Sequence, residues 1–180
     1  MQPLATFEEL QLHLGRTLDD QESAEQALLL ASGSVRAYCR WEISRNEQAQ
    51  MQTYGDGSRL IALPTLLLRD VLSISVNHID LGPIAWSTEL NWSRKGQIHR
   101  AEGWCKEAVV DVIADHGYDD DDIPHVIKLV TLDAASRQLS NPEALVSAST
   151  GEVSRTWSSS ATAGTLPGLH QALLDNYRLM

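Results

Sequence analysis

No block of basic residues runs through this chain. Lys and Arg number 14 against 24 Asp and Glu, giving a net charge of −10. The densest cationic stretch is the pair Arg94-Lys95. Holding bare DNA by its phosphates requires clustered cations that release counterions, so that class of function is excluded. Long apolar runs are missing too. The longest, such as Leu60–Leu68, falls far short of the roughly 20 residues that span a bilayer. The first residues show no charged segment followed by an apolar one, so no signal peptide is expected. These absences predict a soluble protein, cytoplasmic where it is made, with no membrane partner.

Cysteine is scarce. Cys39 and Cys105 are the two in the chain, and neither has a C-x-x-C neighbour. A disulfide between them is possible, but two buried free thiols in a reducing compartment are the expectation. The six histidines are scattered and show no zinc spacing. G-x-G-x-x-G, G-x-x-x-x-G-K-[ST] and the G-x-S-x-G elbow are all missing. Nothing in the chain argues for an enzyme, a metal site or a cofactor.

The run DHGYDDDDIP at 115–124 tests that conclusion. A calcium loop needs alternating ligands and a central Gly, which Asp119–Asp122 do not provide. Aspartates at a helix start satisfy free N–H groups and favour the positive end of the dipole. The expectation is therefore a helix-capping loop of His116, Tyr118, Asp121, Asp122 and Pro124. Asp121 or Asp122 serves as cap, Pro124 fits the first turn, and His116 packs or hydrogen-bonds in the loop.

Periodicity supplies the architecture. From Met1 to about Arg45 the chain reads as helical. Thr6 caps a short helix, Phe7–Leu14, closed by Gly15. Asp19 or Asp20 caps a longer one with Ala24, Ala27, Leu28, Ala31, Val35 and Tyr38 on its apolar face. From about Gly55 to Ala114 the period becomes that of strands. Ser58–Leu63, Val71–Asp80, Leu90–Trp92, Gln97–Arg100 and Lys106–Ala114 are the candidates. They form a small antiparallel sheet or sandwich, with Trp86, Trp92 and Trp104 as its aromatic bulk. Helix returns at about Asp122 and is apolar on most sides from Ile123 to Leu139, which marks a buried central helix. Asn141-Pro142 bends or ends it. A small, polar stretch follows in which Val153 and Trp157 stand out as anchors. Last comes an amphipathic helix, Pro167–Tyr177, with Leu169, Leu173, Leu174 and Tyr177 as its face. The fold class predicted is α+β. A helical bundle (1–54 and 116–148, its central helix at about 122–140) carries an inserted antiparallel β domain (55–115) and an extended C-terminal arm with a terminal helix (149–180).

The order of these pieces resembles the head–tail connector, or adaptor, family of tailed phages. LATFEELQLHLGRTLDDQESAEQALLLASGSVRAYCRWEI is similar to that family's opening pair of helices. LIALPTLLLRDVLSISVNH resembles its strand, Leu-Pro, strand segment, and WSRKGQIHRAEGW its Trp-Gly hairpin. VVDVIADHGYDDDDIPHVIKLVTLDAASR resembles the strand that ends in His-Gly-Tyr before Ile-Pro and a helix. GEVSRTWS followed by TLPGLHQALLDNYR resembles its closing tail. The aspartate loop is longer and more acidic than the family pattern. The resemblance implies a structural virion protein without enzymatic activity or cofactor. It implies a homo-oligomeric ring, dodecameric in that family, set between the portal protein and a stopper or other next neck protein, at the neck of the virion after assembly in the host cytoplasm. DNA would pass through its channel without specific binding. The arm and terminal helix, through Val153, Arg155, Trp157, Leu169, Leu173 and Tyr177, would bind the portal. Two other readings remain at this point: another neck component, such as a stopper or tail-completion protein, or a small cytoplasmic metal-binding protein or enzyme using Asp119–Asp122 and His116.

Overall fold

The structure is a computed structural model that describes residues 2–82, 90–140, 147–150, 153–156 and 166–179, with the backbone alone for 147–150 and 153–156. The fold is α+β, with four α-helices and antiparallel sheets among the described residues. The chain forms two compact units: Met1–Cys39 with Asp122–Arg178, and Arg40–Asp121 with Leu179–Met180.

The first unit is helical. Helix α1, Phe7–Leu14, begins with a reciprocal cap. The Glu9 N–H donates to Thr6 Oγ1 at 3.2 Å, and the Thr6 N–H donates to Glu9 Oε2 at 2.8 Å. Gly15, at φ 64°, ends it in the left-handed conformation. Helix α2, Gln21–Cys39, starts where Asp20 Oδ1 accepts from the Ser23 N–H at 3.0 Å. Its buried face is mostly small: Ala24, Ala27, Leu28, Ala31, Ser32 and Val35. Ser32 stays satisfied there because its hydroxyl donates to the Leu28 carbonyl and accepts from the Leu4 N–H. Helix α3, His125–Ser140, buries Ile127, Val130, Thr131, Leu132 and Ala135. Leu10, Ala24, Ala27, Leu28, Ala31, Leu132 and Ala135 share one apolar core. Lys128 Nζ, 2.8 Å from Glu9 Oε1, ties α3 to α1 at the rim of that core.

Helix α4 spans Gly168–Leu174 and continues as a 3-10 turn, Asp175–Tyr177. Its inward face corrects the expected one. Leu166, His170 and Leu174 are buried, whereas Leu169 is 72% exposed and Leu173 38% exposed. Only Leu174 of the predicted face points in. The reason is a hydrogen-bonding contact: His170 Nε2 lies 2.8 Å from Asp133 Oδ2 on α3, so a polar residue holds the inward position. Between α3 and α4, strands β8 (Ser147–Thr150) and β9 (Val153–Thr156) pair antiparallel. The expected break at Asn141-Pro142 and the anchor Trp157 lie outside the described residues, as does Trp86.

The second unit is β. A four-stranded sheet has the order β1-β7-β3-β4, from β1 (Asn46–Tyr54), β7 (Val109–His116), β3 (Leu68–Val76) and β4 (Ile79–Asp80). A three-stranded sheet has the order β2-β6-β5, from β2 (Leu60–Ala62), β6 (Gln97–Arg100) and β5 (Leu90–Ser93). Their inner faces meet in one core that includes Met51, Ile61, Leu68, Ile74, Ile98, Trp104, Val110 and Val112. Strand β7 is central and alternates strictly, with Val110, Val112, Ala114 and His116 buried, as its sequence pattern predicts.

Three further expectations need correction. Residues 46–54, assigned to the helical part, form strand β1, because Ala49 and Met51 point into the core while Gln50 and Gln52 point out. Val71–Asp80 is not one strand. The chain reverses at Asn77 and His78, whose φ values of 49° and 65° are those of a two-residue hairpin turn with both central residues left-handed. Two register shifts within β3 also break its simple alternation, so Leu68, Val71 and Ile74 are the residues that face inward. Finally, Cys39 is buried but Cys105 is exposed, and both are free.

Candidate interaction surfaces

The His-Gly-Tyr segment is built by a close backbone approach. Strand β7 ends at His116, which is buried, with Nδ1 3.3 Å from Thr65 Oγ1. Burial pushes its imidazole below the ordinary value, against the pull of Glu42 and Asp115. Gly117 has φ 88°, and a Cβ there would overlap the Ser44 carbonyl oxygen, so glycine is required. That approach lets the Tyr118 N–H donate to the Ile43 carbonyl at 2.8 Å and the Arg45 N–H donate to the Tyr118 carbonyl at 2.7 Å. The Tyr118 ring lies 6.0 Å from Trp41, tilted by 54°.

The first aspartate of the run is part of the same construction. Asp119 accepts from Arg45 Nη1 at 2.9 Å and from Arg69 Nη2 at 2.8 Å. The hydrogen bond from Arg45, reinforced by Arg69, holds its carboxyl below the usual range. Arg69 also donates from Nε to the Gly117 carbonyl at 2.7 Å. Asp120–Asp122 form a 3-10 turn. The backbone of α3 then starts from Pro124, whose carbonyl accepts from the Ile127 and Lys128 N–H groups. His116, Tyr118 and Asp119 are thus committed to positioning the loop. Among the described residues, no group of three or more His, Cys, Asp and Glu side chains is placed to hold a metal ion.

A second feature lies on the outer face of the four-stranded sheet. Gln50 and Gln52 of β1, Asp111 and Ile113 of β7, and Ser73 and Ser75 of β3 line an open concavity of about 470 Å³. Register brings them together: Gln50 and Ser73 both oppose Ile113, and Gln52 and Ser75 both oppose Asp111. Gln52 Nε2 donates to Asp111 Oδ1 at 2.8 Å, while the exposed His78 sits 3.6 Å from the other carboxylate oxygen. Hydroxyl, amide and carboxylate groups share the lining with the apolar Ile113.

The third feature is α4. Leu169 and Leu173, four residues apart, form its exposed side, and Tyr177 follows, partly exposed, in the 3-10 turn. Behind them His170 is held by Asp133, which also takes Arg137 Nη2 at 3.1 Å. Val153 and Arg155 lie on β9, of which the backbone is described; Trp157 lies outside the described residues. The Arg45–Asp119–Arg69 bridge and the Asp111 concavity were not among the predicted sites. Alternation along β7 places Asp111 on the outer face, but its partners come from register. Of the described residues, no helix is long and apolar enough to cross a membrane. No protein-family model and no curated protein matches the chain.

Proposed function

We propose that the chain is a structural virion protein, a head-to-tail adaptor that forms a homo-oligomeric ring between the portal protein and the next neck component. In this reading the four helices act as a bundle, the β unit is its insertion, and residues 149–180 are an arm with a terminal helix that grips the portal. The ring would hold about twelve copies and leave a channel for DNA, and the protein would act without cofactor or catalysis. The order of motifs along the chain, from the capped opening helices to the closing tail, supports this reading.

The observation that carries it is the two-sided character of α4. Leu166, His170 and Leu174 hold the helix to its own unit, while Leu169 and Leu173 face outward four residues apart. An exposed apolar pair on an anchored helix is the form a groove on a partner recognises. The charge of −10 suits a channel, since like charge lets DNA slide past without being held.

The test is a pull-down of portal-bearing particles with the full chain, with the chain cut after Ala148, and with Leu169→Asp/Leu173→Asp. Binding by the full chain and loss in both altered forms is the expected result. Binding by all three would keep the adaptor role and remove the portal grip from the arm. No binding by any of them would sink the proposal.

A further inference from the structure

The outer face of the four-stranded sheet and the tip of the β5–β6 hairpin are complementary in charge. The concavity around Asp111 has a carboxylate in its lining and no Lys or Arg lines it. One oxygen of that carboxylate accepts from Gln52, and the other lies 3.6 Å from the exposed His78. Further along the same strands, Asp70 and Asp115 are direct cross-strand partners. Like charges in that position repel. Each is partly satisfied locally, Asp70 by the Val71 N–H and Asp115 by the Gln48 N–H, but a cation brought to this face would relieve both. Arg45, which feels the charge of Asp115, is already shared between Asp119 and Glu47.

The densest cationic pair in the sequence stands on the other sheet. Arg94 and Lys95 occupy the turn between β5 and β6, both exposed. The turn itself is rigid. The Gly96 N–H closes it on the Ser93 carbonyl, and the Arg94 carbonyl accepts from the Leu68 N–H at 2.7 Å. A hydrogen-bonded turn presenting two exposed cations suits an open groove with a carboxylate in it: guanidinium pairs with carboxylate in two-pronged fashion, and serine hydroxyls and glutamine amide oxygens accept the remaining donors.

We propose that the Arg94-Lys95 turn of one copy docks in the Asp111 concavity of a second copy. The tip and the groove are different surfaces of one chain, so the contact is head-to-tail and repeats from copy to copy, as closing a ring requires. The proposal rests on the ring reading given above and names the contact between its subunits. An exposed pairing of this kind sets orientation and partner choice more than affinity.

Directed cross-linking tests it. The full chain carries Cys105→Ser to remove the exposed thiol. Cys39 stays, since burial pushes its thiol up to about 11 and leaves it unreactive. One batch adds Gln50→Cys at the groove wall, the other Lys95→Cys at the tip. Mixed at high concentration and oxidised, they are expected to form a disulfide-linked pair. Adding Asp111→Arg to the first batch should cut the yield at least about tenfold, because like charges across an interface are strongly disfavoured. Adding Arg94→Glu to the second batch should then restore it. A yield no higher than that of a control pair with Glu22→Cys in place of Gln50→Cys, or one indifferent to Asp111→Arg, overturns the contact. If the portal pull-down succeeds while this cross-link fails, the contact is wrong and the adaptor reading stands. If the cross-link forms and responds to charge while no portal binds, the contact stands and the adaptor reading falls.

Discussion

A glycine in each unit shows how differently the two are held. Gly33 lies inside α2 with open space where a Cβ would go, and Gly117 lies at the end of β7 with the Ser44 carbonyl in that space. The helices of the first unit start and stop on local signals: a cap at Thr6, a cap at Asp20, and an alanine-lined face at helical spacing. The β unit rests on approaches between residues far apart in sequence, such as Ser44 under Gly117 and Arg45 and Arg69 around Asp119. A local signal can be weakened or improved by degrees. A close approach over long range is either made or lost.

The sharpest way to break the comparison is Gly117→Ala. The left-handed backbone and the overlap with the Ser44 carbonyl together should destabilise the β unit by about 2–4 kcal/mol. The described tryptophans, Trp41, Trp92 and Trp104, all lie in that unit. In a Trp157→Phe background their fluorescence on chemical denaturation should therefore report the loss, while helical circular dichroism changes less. Coincident shifts of equal size in the two signals would show that the units unfold as one and that the contrast has no energetic meaning.

Acid gives a smaller effect that touches both units. His116 in the β unit and His170 in the helical unit are each buried, and desolvation lowers the pKa of each from an ordinary value of 6.5. A base with a lowered folded pKa binds its proton more readily when unfolded, so its stabilising contribution is present above the unfolded value and is lost as pH falls below about 6.5. Both denaturation signals should weaken over that range. His116→Gln should blunt the pH response of the fluorescence signal, and His170→Gln that of the helical signal. A pH response unchanged by either substitution would place the titrating group elsewhere.

The same contrast explains what could be read from the sequence. The Thr6 cap, the Gly15 stop, the alanine face of α2 and the alternation of β7 are patterns carried by neighbouring residues, and each is found where its residues indicate. Strand β1 was missed because NEQAQMQTY has little β-favouring character and places only Ala49 and Met51 in the core. The turn at Asn77-His78 lacks the glycine that usually marks it. The inner face of α4 was misread because its identity depends on Asp133, distant in sequence, pairing with His170. Hydrophobicity alone would choose Leu169 and Leu173. For the candidate surfaces the same rule holds: Asp111 could be assigned to an outer face, but its grouping with Gln52 and Ser75 needs the register of three strands.

On the helical side the effects should be modest and can run in either direction. Thr6→Ala removes the acceptor for the Glu9 N–H and should destabilise by about 1 kcal/mol, seen in the helical signal. Gly33→Ala should do the reverse. Gly33 has ordinary helical backbone, and nothing lies within 4 Å of the position its Cβ would take. Alanine there restricts the unfolded chain without a native clash, which should stabilise by about 0.5–1 kcal/mol. The gain should appear as a higher denaturation midpoint in helical circular dichroism. A loss would mean that something packs against α2 at that position in solution, and an assembled form of the protein would then be the first place to look for it.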